Sequence, residues 1–313
     1  MPDNNTDPIS ANNQAQSQNG IQIQPIPLKI GALAPGLYIV ATPIGNLRDI
    51  TLRALDILTS ADLVLAEDTR RARVLLGAYN IKASVSAYHD HNVAKKLPGV
   101  IRAISEGKSV ALISDAGTPL VNDPGYKLAR ASIAEDLPVF AAPGASAVLA
   151  GLVSSGLSPA RFMFAGFLPP KSAARCTALR EVEAVPASLI YFETAKRIKA
   201  CLVDMLAVLG DRQVAIAREL TKKYEEILRG SMSELIARVE ETPLRGEIVV
   251  IIAPPEAQEK WDEDTICAAL VPLIKTEGVK RAAAQIAEQS GHKKRDIYAL
   301  ALEVKNGSKL KDE

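Results

Sequence analysis

Three loops in the first half of this sequence have compositions that suit a ligand-binding site. Each follows a short apolar run, and they are Thr42-Pro-Ile-Gly-Asn-Leu47, Ile113-Ser-Asp-Ala-Gly-Thr-Pro-Leu120 and Pro143-Gly-Ala-Ser-Ala147. The second loop offers the carboxylate of Asp115, and the third has small residues that let a ligand approach the backbone closely. Ligands of open parallel sheets bind outside the carboxyl ends of the strands. Each loop taken singly could be an ordinary turn, but three of them at one sheet edge favour a binding site.

The sequence also argues against several other kinds of site. The first of these loops has a single glycine where a dinucleotide-binding fold has Gly-x-Gly-x-x-Gly, which argues against a nicotinamide-dependent dehydrogenase. His89 and His91 flank Asp90, but no further ligands at metal-binding spacing accompany them, so no metal site is predicted. The cysteines form no Cys-x-x-Cys pair, which excludes a disulfide framework and a zinc ribbon and fits a reducing cytosol. They are Cys176, Cys201 and Cys267.

The composition is that of a globular protein without an overall charge bias. Of 313 residues, 48% are hydrophobic, and 37 Lys and Arg nearly balance 36 Asp and Glu. A chain of this length is expected to form two domains, and any contact with nucleic acid must use local basic patches. No apolar run approaches the roughly 18 residues that a membrane helix needs. Residues 1–34 are rich in Asn and Gln and have no signal-peptide pattern, so we expect a disordered polar arm on a cytoplasmic protein.

Five short apolar runs predict the strands that position the three loops. They are Leu37–Ala41, Leu63–Ala66, a segment around Val85, Ser109–Ile113 and Pro138–Ala142. Long stretches with helical spacing separate them, and strands that alternate with helices are typical of a mostly parallel sheet with helices on both faces. We therefore predict an N-terminal α/β domain over residues 35–155.

The second half of the chain predicts another α/β domain and a helical end. Prolines and glycines between Gly156 and Pro170 mark a boundary, and residues 156–256 are predicted to form the C-terminal α/β domain. Its predicted strands are Ser188–Glu193, Val214–Arg218 and Gly246–Ala253. Residues 257–304 have only helical patterns, with a break at Ser290-Gly-His292 that resembles the turn of a helix-turn-helix. Residues 305–313 form a polar tail.

Eight motifs occur in the same order as in a known family. They are Gly36-Leu-Tyr-Ile-Val-Ala-Thr-Pro-Ile-Gly-Asn-Leu47, Ala66-Glu-Asp-Thr-Arg70, Tyr88-His-Asp-His-Asn92, Ser114-Asp-Ala-Gly-Thr-Pro-Leu120, Asp123-Pro-Gly125, Pro143-Gly-Ala-Ser-Ala147, Arg218-Glu-Leu-Thr-Lys222 with Glu225-Glu226, and Arg245-Gly-Glu247. Together they resemble the tetrapyrrole-methylase (class III) superfamily, in its branch of bacterial 16S rRNA (cytidine-2′-O)-methyltransferases. The resemblance runs from Gly36 to about Pro255, and Lys293–Leu302 resembles the C-terminal helical piece of the family. It implies two α/β domains of tetrapyrrole-methylase type with a cofactor cleft between them, a small C-terminal helical segment, and a homodimer.

The resemblance also implies an activity and a donor site. The activity is 2′-O-methylation of a cytidine ribose in the decoding region of 16S rRNA of the small ribosomal subunit, with S-adenosylmethionine as the methyl donor. Asp115 could accept hydrogen bonds from the ammonium or ribose hydroxyl groups of the donor, or it could instead stabilise its own turn. The residues that the resemblance places against the donor are Pro43, Asp115, Gly117, Thr118, Ser146, Ala147, Phe192 and Ala217.

Methylation of a ribose hydroxyl calls for a group that accepts its proton, because the 2′-hydroxyl ionises far above neutral pH. The candidate acceptors are Asp68, His89, Asp90, Glu193 and Glu219. The residue types do not choose among them, and His89 could equally be a polar loop residue that stacks or hydrogen-bonds. No metal is needed for this chemistry, since the donor already has a sulfonium leaving group.

Positive charge for RNA contact is concentrated in two segments. Residues 196–223 contain seven Lys and Arg against three acids, and residues 278–297 contain five against two. Phosphate contacts of such residues supply much of the affinity for RNA, although basic runs also occur as solvated helix faces. The residues predicted to contact RNA are Arg48, Arg70, Lys196, Arg197, Arg218, Lys222, Lys293, Lys294 and Arg295.

Two alternatives to this activity stay open. The first is a tetrapyrrole C-methyltransferase, although the loop Thr42–Leu47 lacks the glycine-rich, acid-ended sequence of that branch. The second is a non-catalytic RNA-binding assembly factor, which would bind the donor without transferring a methyl group. The sequence departs from the family pattern in two places. Ala195-Lys196 stands where the family usually has Pro-His, and the Asn/Gln-rich arm is not a family feature.

Overall fold

The computed structural model describes residues 30–256 and 261–307. The predicted disorder of the arm therefore lies mostly outside the described residues, as does most of the predicted tail. Residues at the end of the arm make contacts: the Gly31 amide donates to Ser60 Oγ, and the Tyr38 hydroxyl donates to the carbonyl of Ala34. The arm that was predicted to reach residue 34 is thus attached to the fold by its last few residues. The chain divides into two compact units, Met1–Ser146 and Ala147–Glu313, each described by itself below.

The first unit contains one sheet of five parallel strands. They are β1 (Gly36–Val40), β2 (Leu63–Ala66), β3 (Val85–Ala87), β4 (Ser109–Ile113) and β5 (Val139–Ala142), in the order β3-β2-β4-β1-β5. The helices between them are α1 (Leu52–Ser60), α2 (Thr69–Ala78), α3 (Val93–Ser105) and α4 (Tyr126–Ala134). The predictions of five strands here and of a parallel sheet are confirmed.

Helices cover both faces of this sheet because successive residues of each strand point to opposite sides. On β4, Ala111 and Ile113 belong to the core that α1 and α2 complete with Leu58 and Leu76. Their neighbours on β4, Val110 and Leu112, belong to the other core, which α3 and α4 complete with side chains such as Ile104 and Leu128. All five residues of β4 are buried, as expected for the central strand of a doubly covered parallel sheet.

The second unit begins with α5 (Ala147–Ser155) and contains a mixed sheet in the order β6-β7-β10-β8-β9. Its strands are β6 (Phe162–Phe167), β7 (Ser188–Thr194), β8 (Gln213–Arg218), β9 (Glu226–Ser231) and β10 (Glu247–Ile252). Only β6 and β7 are parallel; β10 pairs antiparallel with β7 and β8, and β8 with β9. The helices α6 (Ser172–Arg180), α7 (Ile198–Leu209) and α8 (Met232–Glu241) complete it.

The three strands predicted for this unit are present, and the two strands at its edges were missed. β6 lies inside the Gly- and Pro-rich stretch that was taken for a boundary, and Phe162, Met163 and Phe167 on it are exposed. β9 has only two apolar residues, Ile227 and Leu228, among Glu226, Arg229, Gly230 and Ser231, so it lacks the continuous apolar run of an interior strand. β9 therefore lacks the apolar signal by which the interior strands were recognised, whereas β6 is an apolar run that was missed because the glycines and prolines around it were taken for a boundary.

α5 belongs to the second unit, whereas the sequence analysis ended the first domain after it, at Ser155. The reason is close packing against β10: a Cβ atom on Gly151 would lie 3.2 Å from Val249 Cγ1 and 3.3 Å from Ile251 Cδ1. Gly151 lets the helix approach the sheet at this point. The division between the units consequently falls within the third predicted ligand loop, between Ser146 and Ala147.

The C-terminal part of the second unit consists of three helices with a core of their own. They are α9 (Glu263–Glu277), α10 (Val279–Ser290) and α11 (Lys294–Lys305), and the core includes Ile266, Leu270, Ile286 and Ile297. Gly291 is left-handed, with φ 68°, and turns the chain between α10 and α11. The predicted helices and the predicted break between them are confirmed. Among all described residues, no helix is both long and apolar enough to cross a membrane.

Candidate functional site

The first and second predicted ligand loops are joined to each other in the first unit. Thr42 and Gly117 exchange both backbone hydrogen bonds: the Thr42 amide donates to the Gly117 carbonyl at 2.8 Å, and the reverse bond is 3.0 Å. Thr42 Oγ1 also donates to the carbonyl of Ser114 at 3.3 Å. Gly117 adopts the left-handed φ of 77° that this bridge requires. The loops after β1 and β4 therefore form one connected backbone surface.

The third loop packs against the first two. Thr118 Oγ1 donates to the carbonyl of Ala145 at 3.3 Å. Gly144 lies directly against β1, since a Cβ atom there would be 3.0 Å from Ala41 Cβ. The prediction that the three loops meet at one edge of the sheet is confirmed by these contacts.

Asp115 is held in this surface by Asp68, in the turn after β2, and by Arg71, in the first turn of α2. Its Oδ1 accepts from the Asp68 amide at 3.1 Å, and its Oδ2 lies 3.2 Å from Arg71 Nη1. Its side chain is 25% exposed. Both contacts join Asp115 to the segment that follows β2, so its carboxylate is fixed in place. Because it is partly exposed, it can still contact a ligand. A fixed, partly exposed carboxylate can accept hydrogen bonds from the ammonium and hydroxyl groups of S-adenosylmethionine. The glycine and small residues beside it let such a ligand approach the backbone of the loops closely.

Two carboxyl groups to which the sequence analysis gave no role, Glu67 and Asp123, interact with Asp115 at this edge. Burial raises the pKa of Glu67, and the charges of Asp115 and Asp90 raise it further. Burial, followed by the charge of Glu67, raises the pKa of Asp123 to about 6, against a hydrogen bond from Ser114 that lowers it. Their places after β2 and β4 were visible in the sequence, but their burial depends on packing that the sequence does not display.

The loop that leads to Asp123 has an unusual backbone. Leu120 and Asn122 have φ values of 72° and 65°, a region that residues other than glycine rarely adopt. Gly125 follows with φ 130°, and a Cβ atom there would lie 2.5 Å from Leu112 Cδ2. Strained backbone of this kind is concentrated at functional sites.

Among the five candidate proton acceptors, Asp68 is bound to its own helix. It caps α2 by accepting from the Arg70 amide at 2.8 Å and from the Arg70 guanidinium, with 3.0 Å between Oδ2 and Nη2. These bonds lower the pKa of Asp68 to about 2. Arg70, predicted to contact RNA, is 87% exposed but takes part in this pair.

His89 and Asp90 lie after β3 at the same sheet edge. The Tyr88 amide donates to Ala66 on β2, and Asn92 Oδ1 accepts from the His89 amide. The His89 ring is oriented by Asn92, with 3.1 Å between Nε2 and Asn92 Nδ2, and its Nδ1 is buried with no hydrogen-bond partner among the described residues. Asp90 is exposed. In the described ranges, no three His, Cys, Asp or Glu side chains are arranged to hold a metal ion.

Glu193 lies in the second unit, where it is 3% exposed. Its Oε1 accepts from the Thr194 amide at 2.8 Å and lies 3.3 Å from Arg197 Nε. Arg197 in turn donates to the carbonyl of Leu168 at 2.7 Å. Both Glu193 and the predicted RNA contact Arg197 are thereby engaged in holding the chain after β6.

A second ion pair, Arg175 with Asp204, holds the same segment. Arg175 Nη2 lies 2.6 Å from Asp204 Oδ2, and its side chain is only 5% exposed. Arg175 Nη1 donates to the carbonyls of Pro169 and Pro170, both at 3.2 Å. Two arginines, each paired with an acid, therefore fix three consecutive carbonyl groups.

Glu219 forms a compact network after β8. Its Oε1 accepts from the Glu247 amide at 3.0 Å and from Lys222 Nζ at 2.9 Å. The backbone bond and Lys222 hold the pKa of Glu219 below its ordinary value. Lys222 Nζ also lies 3.0 Å from Glu247 Oε2. Glu219 and the predicted RNA contact Lys222 are therefore already paired with each other.

Two predicted donor contacts, Phe192 and Ala217, flank one residue of the second sheet. Val249 on β10 is opposite Phe192 on one side and Ala217 on the other. Residues in one row of a sheet share a face, and Gly151 of α5 lies against Val249 on that face. Phe192 also contacts the rings of Phe164 and Phe167, at centroid distances of 4.7 and 5.7 Å.

The other predicted site residues are placed as follows. Pro43 is half-buried in the first loop, and Ser146 and Ala147 stand at the division between the units, Ala147 opening α5. Arg48 lies in a short 3-10 helix, and Arg218 Nε donates to Glu226 at 2.7 Å. The remaining predicted RNA contacts are the exposed residues Lys196, Lys293, Lys294 and Arg295, the last of which lies 3.6 Å from Asp296.

Comparison with known proteins gives a consistent result. Residues 36–236 match the family described as Tetrapyrrole (Corrin/Porphyrin) Methylases, and residues 260–305 match the RsmI C-terminal HTH domain. The chain is 47% identical to the ribosomal RNA small subunit methyltransferase I of Mesorhizobium japonicum over 88% of its length and 94% of the relative. It is 46% identical to the protein of the same name from Escherichia coli O157:H7, over 85% and 94% of the two chains.

A solved structure shows the same fold at low sequence identity. It is uroporphyrin-III C-methyltransferase from Thermus thermophilus in complex with S-adenosylhomocysteine, 19% identical, with a TM-score of 0.50. The match covers 70% of the present chain and 97% of that protein.

Proposed function

We propose, from the premise that this chain belongs to the tetrapyrrole methylase family and to its ribosomal RNA small subunit methyltransferase I branch, that it methylates the 2′-hydroxyl of a cytidine in 16S rRNA. The chain is an S-adenosylmethionine-dependent methyltransferase. The observation that carries the proposed substrate is the identity of nearly one half over 94% of the length of two rRNA methyltransferases. The match of residues 260–305 to a helix-turn-helix domain that is named after the same branch supports it further.

In the first unit, the proposed donor contacts are the connected loops after β1, β4 and β5. Asp115 would accept from the polar groups of the donor, with Arg71 and the Asp68 amide keeping its carboxylate in position. Pro43, Gly117 and Thr118 would contribute a backbone surface fixed by the Thr42–Gly117 bridge. The bound donor supplies a methyl group on a positively charged sulfur, which is a good leaving group. The protein therefore has to align the ribose oxygen, exclude water and accept a proton.

The proposed proton acceptor is one of the pair His89 and Asp90. Asp68, Glu193 and Glu219 are each engaged with an arginine or lysine of their own unit. His89 and Asp90 follow β3, at the carboxyl edge where the donor loops lie, and the described residues contain no ion pair that involves Asp90. Because Asn92 Nδ2 donates to His89 Nε2, the proton of a neutral His89 ring lies on the buried Nδ1, which leaves the exposed carboxylate of Asp90 as the more available acceptor of the two.

The remaining parts of the proposal concern the form of the enzyme and its substrate. The proposed substrate is the decoding region of the small subunit, which would make the enzyme cytoplasmic. A homodimer is proposed because β6 is an edge strand with exposed Phe162, Met163 and Phe167, a surface that a partner could cover. Lys293, Lys294 and Arg295 are proposed to contact rRNA phosphates.

The deciding experiment supplies radiolabelled S-adenosylmethionine and small subunits that lack this modification, followed by nucleoside analysis. We expect label in 2′-O-methylcytidine. Parallel reactions with free 16S rRNA and with a tetrapyrrole distinguish the substrates. Label in the tetrapyrrole alone would replace the proposal by C-methylation, and donor binding without transfer to any of the three would support an assembly factor.

A further inference from the structure

The loop between β8 and β9 presents an exposed aromatic ring beside a cation. Tyr224 is 65% exposed. Lys223 Nζ lies 5.5 Å from the centroid of the Tyr224 ring, within the range of a cation–π contact. Lys223 is exposed as well. Lys223 lies in the basic segment 196–223 that was predicted to supply charge for RNA contact, but neither it nor Tyr224 was among the individual residues predicted to contact RNA.

The acids of this loop are engaged with other groups and do not neutralise Lys223. Glu219 binds Lys222 and the Glu247 amide, and Glu226 binds Arg218. Glu225 accepts from the Thr221 amide. Among the described residues, no carboxylate lies within ion-pair distance of Lys223 Nζ. The outer part of the loop therefore offers the unpaired cation of Lys223 and one aromatic face, with the carboxylate of Glu225 bound to the Thr221 amide.

The loop is held in its conformation by hydrogen bonds within it and by a buried residue at its base. The Lys222 amide donates to the Glu219 carbonyl at 3.0 Å, and the Glu225 amide donates to the Lys222 carbonyl at 3.1 Å. Leu220 is buried at 7% exposure and anchors the base of the loop. Glu219 and Thr221 have φ values of 50° and 64°, a conformation that costs energy for residues other than glycine. A loop ordered before binding loses little further entropy when a ligand arrives.

We propose that Tyr224 stacks on an unpaired base of the RNA substrate while Lys223 contacts an adjoining phosphate. The inference rests on the proposed rRNA substrate and adds the position of a stacking contact. Unpaired bases stack on exposed aromatic side chains, and each such stack contributes substantially to binding. A base in a double helix is already stacked on its neighbours, so the surface selects a single-stranded segment.

The test compares five variants of Lys223 and Tyr224 in the full chain, with S-adenosylhomocysteine present. Affinity is measured for a short labelled oligocytidylate, for naked 16S rRNA and for small subunits. Tyr224→Ala and Tyr224→Leu should weaken binding to all three about tenfold, the loss expected for one stacked base. Tyr224→Phe and Tyr224→Trp should retain it, since both keep an aromatic face. Lys223→Ala should lower the slope of log affinity against log salt by about 0.7.

Lys108→Ala is the matched control for charge, because Lys108 is exposed at the amino end of β4, away from the carboxyl-edge loops. It should change neither affinity nor slope. Donor affinity and melting temperature, measured for each variant, identify any that are misfolded; Tyr224→Leu keeps an apolar side chain in case Tyr224→Ala is unstable.

Several results would overturn the inference. One is a Tyr224→Leu protein that binds RNA as tightly as the wild type while the wild type methylates rRNA normally. A second is a loss confined to intact small subunits, which would assign the loop to a ribosomal protein. If the wild type binds no RNA at all, the proposed substrate fails together with this inference, and that outcome differs from the first two.

Discussion

Gly246 lies against Glu219 so closely that a Cβ atom on the glycine would stand 2.3 Å from Glu219 Oε1. The two motifs Arg218-Glu-Leu-Thr-Lys222 and Arg245-Gly-Glu247 are therefore parts of one structural unit, in which the glycine leaves room for the carboxylate. The same carboxylate accepts from the amide of Glu247 and from Lys222. The position of Glu219 thus depends on a residue that has no side chain.

Gly246→Ala should reduce the free energy of unfolding by about 1–3 kcal/mol, since it combines a left-handed φ of 90° with the displacement of Glu219. Chemical denaturation measures the loss. Gly107→Ala is the control: its φ is 93°, and nothing lies within 4 Å of the added Cβ. Gly107→Ala introduces the backbone strain without a steric contact. An equal loss of unfolding free energy in the two variants would therefore mean that the contact with Glu219 is unimportant.

Asp204→Ala should destabilise the protein by about 3 kcal/mol, because it leaves the nearly buried guanidinium of Arg175 without its acid. The control is Glu240→Ala, which removes the acidic partner of Lys199. Lys199 lies on α7, the helix that also contains Asp204. That pair is 49% and 63% exposed, and its loss should cost less than about 1 kcal/mol. Equal effects in urea denaturation would contradict the role given to burial.

The stability of the protein should depend on pH through Asp123. Its pKa is about 6 in the folded state and about 3.9 in an unfolded chain, so between these values the folded state binds the extra proton. Stability should then fall as pH rises from about 4 to 6, and the loss should persist above 6. Asp123→Asn should flatten this part of the profile and be more stable than the wild type at pH 7. If the stability of Asp123→Asn depended on pH in the same way as that of the wild type, Asp123 would titrate normally.

Asp115→Ala should weaken the binding of S-adenosylmethionine about tenfold or more, the amount expected for one hydrogen bond to a charged group. Calorimetry on the folded variant measures it. Arg71→Ala separates direct from indirect effects, because it removes the ion pair at 3.2 Å but keeps the carboxylate and the bond from the Asp68 amide. If only Arg71→Ala weakened binding, Asp115 would not be a donor contact.

Replacing Lys293, Lys294 and Arg295 by alanine should weaken RNA binding and leave donor affinity unchanged. Each lost phosphate contact should lower the slope of log affinity against log salt by about 0.7–0.9. Lys293 is the N-cap of α11, and Lys294 and Arg295 are its first two residues. Ile297, the buried residue of its first turn, is untouched, so the helix should remain folded in circular dichroism. Wild-type methylation with a wild-type salt slope would show that these residues only solvate the helix.

The sequence predicted those parts of the fold that have a repeating apolar signal. β1, β2 and β4 are buried runs with loops at their ends, and their parallel order follows from the helices between them. β9 was missed because an edge strand need not be apolar throughout, and the apolar β6 was missed because it lies in a stretch of glycines and prolines that was taken for a boundary. The sequence also did not distinguish Glu193 from Asp90 as candidates. The reason is that Glu193 is buried beside Arg197 by the packing of a helix against a strand. No local sequence pattern indicates such packing.

The order of the first sheet has a consequence for synthesis of the chain. β1 is made first, but its neighbours are β4 and β5, and the bridge between Thr42 and Gly117 joins residues 75 positions apart. At about 5–20 residues per second, β1 waits on the translating ribosome about 4–15 s before β4 is complete and about 5–20 s before β5 is complete. During that interval Leu37 and Val40, both fully buried in the finished sheet, have no strand to pair with. A nascent chain of this protein is therefore most vulnerable to aggregation and proteolysis before residue 142 has emerged.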